Sequence, residues 1–168
     1  MPDSTGHPFV FRRAEASDLG ALLVLEEACF DSPWARDAFE QELVLPHAEV
    51  WLAFESVEDG PAVPPPAPVG YINFWVVAGE ISLLNVAVHP RVRRRGLASL
   101  LLGQMEIRGR EQQGAVVFLE LRRSNESAFS LYRAAGYQQI GIRKGYYGDN
   151  REDAIVMSKP LDWDDSAE

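Results

Sequence analysis

The sequence predicts an α/β sandwich built on a mixed sheet. Two observations carry this. Apolar strand-like segments alternate with segments whose apolar residues recur at helical spacing, in the order β-α-α-β-β-β-α-β-α-β-β. No internal repeat breaks the series, and 168 residues suffice for one domain with a sizeable core.

The elements follow in order. Phe9 to Arg13 reads as a short strand, and Ser17 or Asp18 can cap a helix running to about Phe30. After Asp31-Ser32-Pro33, a second helix takes in Ala35 to Leu43. Glu49 to Phe54 and Val69 to Val77 read as strands. The proline-rich run 60–68 between them cannot join a ladder and reads as an enlarged exposed hairpin loop. Glu80 to Val88 is a third strand of this group. It leads through Pro90 and four arginines into a helix that starts near Leu97 and ends near Gln113-Gly114. Ala115 to Leu121 is short and apolar enough for burial on both faces. Asn125 to Ala135 is a helix stopped by Gly136. A strand from Tyr137-Gln138 toward Arg143 and a last strand from Ala154 to Met157 complete the series, and the acidic tail 162–168 is expected to fray.

Composition excludes several function classes. A net charge of −9 and a pI near 4.8 argue against a general binder of nucleic acid or anionic membrane, because phosphate-rich surfaces want a basic face. The same acidity suits a basic protein or peptide partner. A single cysteine, Cys29, rules out an intrachain disulfide framework and fits a reducing cytoplasm; its place beside Leu22, Leu25 and Ala28 reads as buried filler. No apolar run approaches a membrane span of roughly 20 residues, and the first residues lack the cationic start and apolar core of a signal peptide.

Against this acidic background stand Arg91, Arg93, Arg94 and Arg95, followed by Gly96, Leu97 and Ala98 at the start of a helix. A helix N-terminus offers unpaired N–H groups and partial positive charge, and small residues let a phosphate approach them. The cluster reads either as an anion cradle or as a solvated basic loop.

Arg93-x-x-Gly96-x-Ala98, set between a strand and a long helix, resembles the acyl-CoA signature of the GCN5-related N-acetyltransferases (GNAT). The element order agrees from about Phe9 to Pro160. Leu119-Glu-Leu-Arg-Arg-Ser-Asn125 with Leu131-Tyr-Arg-Ala-Ala-Gly-Tyr137 forms a second matching block, and Arg143-Lys-Gly-Tyr-Tyr147 with Glu152-Asp-Ala154 and Met157 a third. Together with Pro33-Trp34 before the second helix, these resemble the bacterial ribosomal-protein-alanine N-acetyltransferases, the RimI type. The resemblance implies a mostly antiparallel mixed sheet flanked by helices and splayed between its fourth and fifth strands. It also implies one N-acetyltransferase domain over residues 1–168, with a core of about 9–160.

Acetyl transfer from a thioester to an amine needs a proton acceptor for the amine, a donor to the developing oxyanion and a proton for the departing sulfur. Glu120 lies in an apolar strand, a costly place for an unpaired carboxylate, and reads as a base or as a wet-face residue bonded to Arg122 or Arg123. Tyr132, a phenol of reference pKa near 10, reads as an acid or as a packed aromatic. Asn125 reads as a plain helix N-cap. The resemblance assigns Glu120 as base, Tyr132 as acid and Asn125 to the pantetheine arm. It assigns Val86, Ala87 and Val88 to backbone contacts with that arm, and Arg93, Arg94, Arg95, Gly96, Leu97 and Ala98 to the pyrophosphate. Ala98 stands where glycine is frequent. The implied co-substrate is acetyl-CoA, with no metal. The implied acceptor is the N-terminal alanine of a small-subunit ribosomal protein with basic residues after it, a tail that Glu42, Glu49, Glu152 and Asp153 can complement. Internal lysines, small amines and a non-catalytic acyl-CoA-binding module stay open as alternatives, as does the oligomeric state.

Overall fold

The computed structural model describes residues 8–57 and 66–162. The strands are β1 (Phe9–Arg13), β2 (Ala48–Glu55), β3 (Gly70–Val77), β4 (Glu80–Val88), β5 (Val116–Arg122), β6 (Gln138–Arg143) and β7 (Ala154–Pro160). The helices are α1 (Leu19–Cys29), α2 (Arg36–Glu42), α3 (Leu97–Glu111) and α4 (Glu126–Ala134). The strands hydrogen-bond in the order β1-β2-β3-β4-β5-β7-β6. β1 with β2, β5 with β7 and β6 with β7 are antiparallel, and β4 with β5 is parallel. The mixed, mostly antiparallel sheet flanked by helices is therefore as expected. Most of the proline-rich run and the acidic tail lie outside the described residues.

The chain forms two compact units, Met1–Asn73 with Asn85–Leu101, and Phe74–Leu84 with Leu102–Glu168. In the first, Leu22 and Leu25 of α1 and Phe39 of α2 pack on Val50, Leu52 and Tyr71. The strand segment at residue 70 can approach its neighbours closely because it has no side chain. A Cβ on Gly70 would lie 2.9 Å from the Ala87 carbonyl oxygen and 3.1 Å from Leu97. α1 begins at Leu19, directly after Asp18, one of the two expected caps, and a single 3-10 turn at Ala16–Asp18 precedes it. Asp18 reaches back to the Glu15 N–H at 2.7 Å and is clamped by Arg12 at 2.8 Å, which holds its carboxyl below the usual range.

In the second unit, β3 turns into β4 through Ala78 and Gly79, both with positive φ (50° and 81°). That is the two-residue hairpin whose twist matches its strands. Ile81 of β4 points to the face covered by α3, where Gly109 of the helix and Gly114 in the turn after it leave room for its side chain. Lys159 and the Tyr137 hydroxyl both bond Glu106 of α3, at 2.9 and 3.1 Å. β7 thus runs to Pro160, beyond the expected Met157: its polar Ser158 and Lys159 keep pairing with Phe118 and Val117. Among the described residues no helix is long and apolar enough to cross a membrane.

Candidate active site

The arginine turn is built around two buried anchors. Val92, in a 3-10 turn at Pro90–Val92, and Leu97, the first residue of α3, are fully buried, and the four residues between them are exposed. Arg94 has φ +64° and Gly96 φ +78°. A Cβ on Gly96 would meet nothing within 4 Å, so the space above the turn is open. Leu100 donates to the Gly96 carbonyl at 3.2 Å, the first helical bond, and the N–H groups of Leu97, Ala98 and Ser99 precede it. These groups, the positive end of a 15-residue helix and the open space suit a phosphate.

The four arginines are not equivalent. Arg91 and Arg95 both bond Glu55, each at 2.7 Å, and together hold its carboxyl below the usual range; Arg95 also stacks over Phe9. Arg93 donates to the Val88 carbonyl at 3.3 Å and lies beside Cys29. Arg94 alone of the four has no side-chain partner among the described residues. Val86 and Val88 are half-buried and Ala87 is buried, as ordinary strand residues would be.

The parallel ladder of β4 with β5 pairs Glu80–Ser82 with Val116–Phe118 and stops. Beyond it opens a cavity of about 610 Å³, lined by Trp75, Leu83, Leu84, Phe118 and Glu120 among others. Glu120 faces it from β5, half-buried. Its partner is Arg143 of β6, at 2.9 Å, and the Tyr146 hydroxyl donates to the same carboxylate, which holds the Tyr146 proton tighter than usual. Neither Arg122 nor Arg123 is the partner. Arg122 pairs with Asp149 at 2.9 Å and Glu152 at 3.5 Å and stacks on Tyr147, while Arg123 pairs with Asp153.

Tyr132 is placed by the end of α4. Gly136 (φ +95°) reverses the chain, its N–H bonds the Arg133 carbonyl at 3.1 Å, and the Tyr137 N–H returns to the Tyr132 carbonyl at 3.0 Å. This glycine-dependent helix stop brings the Tyr132 and Tyr137 rings edge to face, 6.0 Å apart. Tyr132 is 7% exposed, and burial, with Tyr147 nearby, pushes its pKa up to about 12. Its hydroxyl has no hydrogen-bond partner among the described residues. Asn125 caps α4, accepting from the Ala128 N–H at 3.1 Å.

Other expectations resolve locally. Of the carboxylates expected to meet a basic tail, Glu42 and Glu49 are buried, and Glu49 bonds Trp51 and Arg13. Glu152 holds Arg122 and the Ser124 N–H, and Asp153 holds Arg123 and the Gly145 N–H. All four are occupied within the chain. Cys29 is a free thiol, half-buried, and burial raises its pKa. No group of three His, Cys, Asp or Glu residues suited to a metal occurs among the described residues.

Sequence reasoning missed two arrangements. One is Arg143 with Tyr146 on Glu120, although both lie in the quoted third block. The other is Glu26, 1% exposed on α1, which accepts from the Tyr71 hydroxyl at 2.5 Å and the Trp34 N–H at 3.1 Å, while Asn85 donates to the same hydroxyl at 2.7 Å. The available signal was a glutamate on the apolar stripe of Leu22 and Leu25.

Comparison with known proteins places the chain. Residues 19–137 match the acetyltransferase (GNAT) family model. The ribosomal protein bS18-alanine N-acetyltransferase of Escherichia coli is 33% identical over 150 residues, covering 88% of this chain and 94% of that one. The enzyme of the same name from Salmonella typhimurium is 42% identical over 148 residues, covering 86% and 93%. The crystal structure of the Escherichia coli ribosomal-protein-S18-alanine N-acetyltransferase superposes with a TM-score of 0.79 at 27% identity, over 95% of this chain and 98% of that one. Sequence likeness along most of its length and the shared sheet topology agree: the chain belongs to the GNAT family of acetyltransferases.

Proposed function

We propose that this protein transfers the acetyl group of acetyl-CoA to the N-terminal α-amine of a protein in the cytoplasm. The acceptor we infer is the N-terminal alanine of a small-subunit ribosomal protein. The observation that carries this is the match, over nearly nine-tenths of the chain, to relatives that bear that activity in their names. Residues 9–160 act as one N-acetyltransferase domain in this reading.

Acetyl-CoA supplies the activated acetyl group. The N–H groups of Leu97 and Ala98, the bare backbone at Gly96 and the arginines Arg93, Arg94 and Arg95 hold its phosphates. Arg94 is free to do so, whereas Arg95 already serves Glu55. Backbone groups of Val86, Ala87 and Val88 hold the extended arm, and a strand N–H polarises the carbonyl oxygen. Asn125 supports the arm from the start of α4.

Glu120 is the base. A protein α-amine has a reference pKa near 7.7–8.0 against about 10.4 for lysine, so an ion-paired carboxylate suffices for the former more readily. Tyr132 is the acid, with a consequence of its burial. A phenol at 10 would be nearly level with a thiol of about 8.5–10, but at about 12 it gives up its proton roughly 3–5 kcal/mol uphill. Tyr132 is therefore a proton reserve that stays full at every working pH, and it donates only as the sulfur leaves.

The test is a free-thiol assay with acetyl-CoA and three classes of acceptor, with a control lacking any: basic peptides starting with alanine, serine or glycine, the same peptides N-terminally blocked with a free lysine, and polyamines. Turnover confined to unblocked peptides is expected. Faster transfer to the blocked lysine peptide would move the activity to lysine, and binding without any turnover would make the chain an acyl-CoA-binding module.

A further inference from the structure

Period-two geometry puts Val116, Phe118 and Glu120 of β5 on one face of the sheet. Glu80 and Ser82, register partners of Val116 and Phe118, share it, and so does Val156 of β7, opposite Glu120. It is the face away from α3, because Ile81, between Glu80 and Ser82, is the residue that meets Gly109. Arg143, paired with Ala154 two residues from Val156, reaches the same face and neutralises Glu120. The cavity on this face is thus lined by three charged residues, Glu80, Glu120 and Arg143. Two of them cancel. Glu80 is exposed and has no ion-pair or hydrogen-bond partner among the described residues, so it carries the net charge of the lining.

Resting on the proposed function, we propose that Glu80 determines specificity: it selects acceptors with a cationic side chain a few residues after the reacting amine. The register sets the distance. Glu80 lies level with Val116, four residues before Glu120 on β5, or about 13 Å along the strand. An extended acceptor whose amine meets Glu120 advances about 3.3 Å per residue, which brings its fifth residue level with Glu80 and its third and fourth within reach of a long side chain. Trp75 and Tyr146 in the same lining offer apolar surface to the stem of an arginine or lysine. The carboxylates first expected to attract a basic tail, Glu152 and Asp153, are held by Arg122 and Arg123. Glu80 is not held.

The test compares KM for alanine-starting peptides carrying arginine, alanine or glutamate at positions three to five, with wild type, Glu80→Gln and Glu80→Lys, each checked for folding by circular dichroism. Wild type should prefer at least one arginine peptide by about two- to fivefold, the range of an exposed ion pair, and high salt should erase the preference. Glu80→Gln should bring the ratio to about one. Glu80→Lys should favour a glutamate-bearing peptide over the arginine one. An arginine preference that survives in a folded Glu80→Gln protein overturns the inference and leaves the proposed function standing. Absence of turnover with every peptide in wild type would instead remove the function on which it rests.

Discussion

The Arg143 guanidinium lies 2.9 Å from the Glu120 carboxylate, across the two strands that flank β7 in the sheet. Twenty-three residues separate them in the chain, and β7 is still to come when Arg143 is reached. Their meeting depends on β7 inserting between β5 and β6 with Glu120 opposite Val156 and Arg143 opposite Ala154.

Tyr132→Phe keeps the ring against Tyr137 and removes the hydroxyl alone. It is expected to lower kcat by about 10²–10⁴-fold with acetyl-CoA affinity nearly unchanged. Because burial holds the Tyr132 proton up to about 12, the deficit should be flat from pH 6 to 10. Glu120→Gln should also lower turnover, but its deficit should shrink as pH rises and the acceptor amine is already neutral. Parallel pH–rate profiles of the three enzymes check both. A Tyr132→Phe enzyme with near-native kcat, with chemistry rate-limiting, would reduce Tyr132 to a packing residue.

The arginine turn should respond unequally. Arg94→Ala is expected to weaken acetyl-CoA binding by about tenfold, the loss of one charge-assisted contact. Arg91→Ala should do much less, since Arg91 serves Glu55. Titration calorimetry with acetyl-CoA reads both, and equal losses would contradict the inequality.

Gly96→Val puts a branched side chain at φ +78° and into the open space above the turn. The folded protein should lose about 1–2 kcal/mol of stability from the backbone conformation and most of its acetyl-CoA affinity. Thermal melts with and without acetyl-CoA separate the two effects. Unchanged affinity would remove the turn from the phosphate site.

Tyr71→Phe leaves the Glu26 carboxylate buried without its hydroxyl donor. Burial and the Glu26 hydrogen bond keep the Tyr71 proton firmly on at working pH, so the donor is always present in the wild type. The variant is expected to lose about 1–3 kcal/mol in denaturant unfolding.

Arg12→Ala tests a pH-dependent pair. Asp18 has its pKa lowered by the Arg12 hydrogen bond, so its contribution is present above the unfolded carboxylate pKa of about 3.9 and is lost as pH falls through the lower folded value. The melting-temperature gap between wild type and variant should be present at pH 7 and close near pH 2. A gap unchanged by acid would point to packing of the Arg12 stem on Phe54 instead.

The alternation of elements was legible in the chain because it rests on local chemistry. Apolar period, helix caps such as Asn125 and chain reversals such as Gly136 act within a few residues, and they placed β1, β4 and α4 almost to the residue. The arginine turn before α3 was legible for the same reason, whereas Glu120 and Tyr132 were singled out by the family resemblance, their local surroundings leaving each open to a structural reading. Ion-pair partners were not legible. Glu120 met Arg143 in place of its neighbours Arg122 and Arg123, because Asp149 and Glu152 take up Arg122, Asp153 takes up Arg123, and the register of β6 on β7 brings the distant Arg143 alongside. Glu26 looked like one more charge on α1, and only the packing of that helix over Tyr71 made it a buried acceptor. The four arginines between Pro90 and Gly96 looked alike until the fold delivered Glu55 to two of them. The sequence by itself determined which elements form and which residue types the site contains. The tertiary structure decided which charges are spent on one another and which, like Arg94 and Glu80, have no partner among the described residues, because opposite charges pair by proximity in space rather than along the chain.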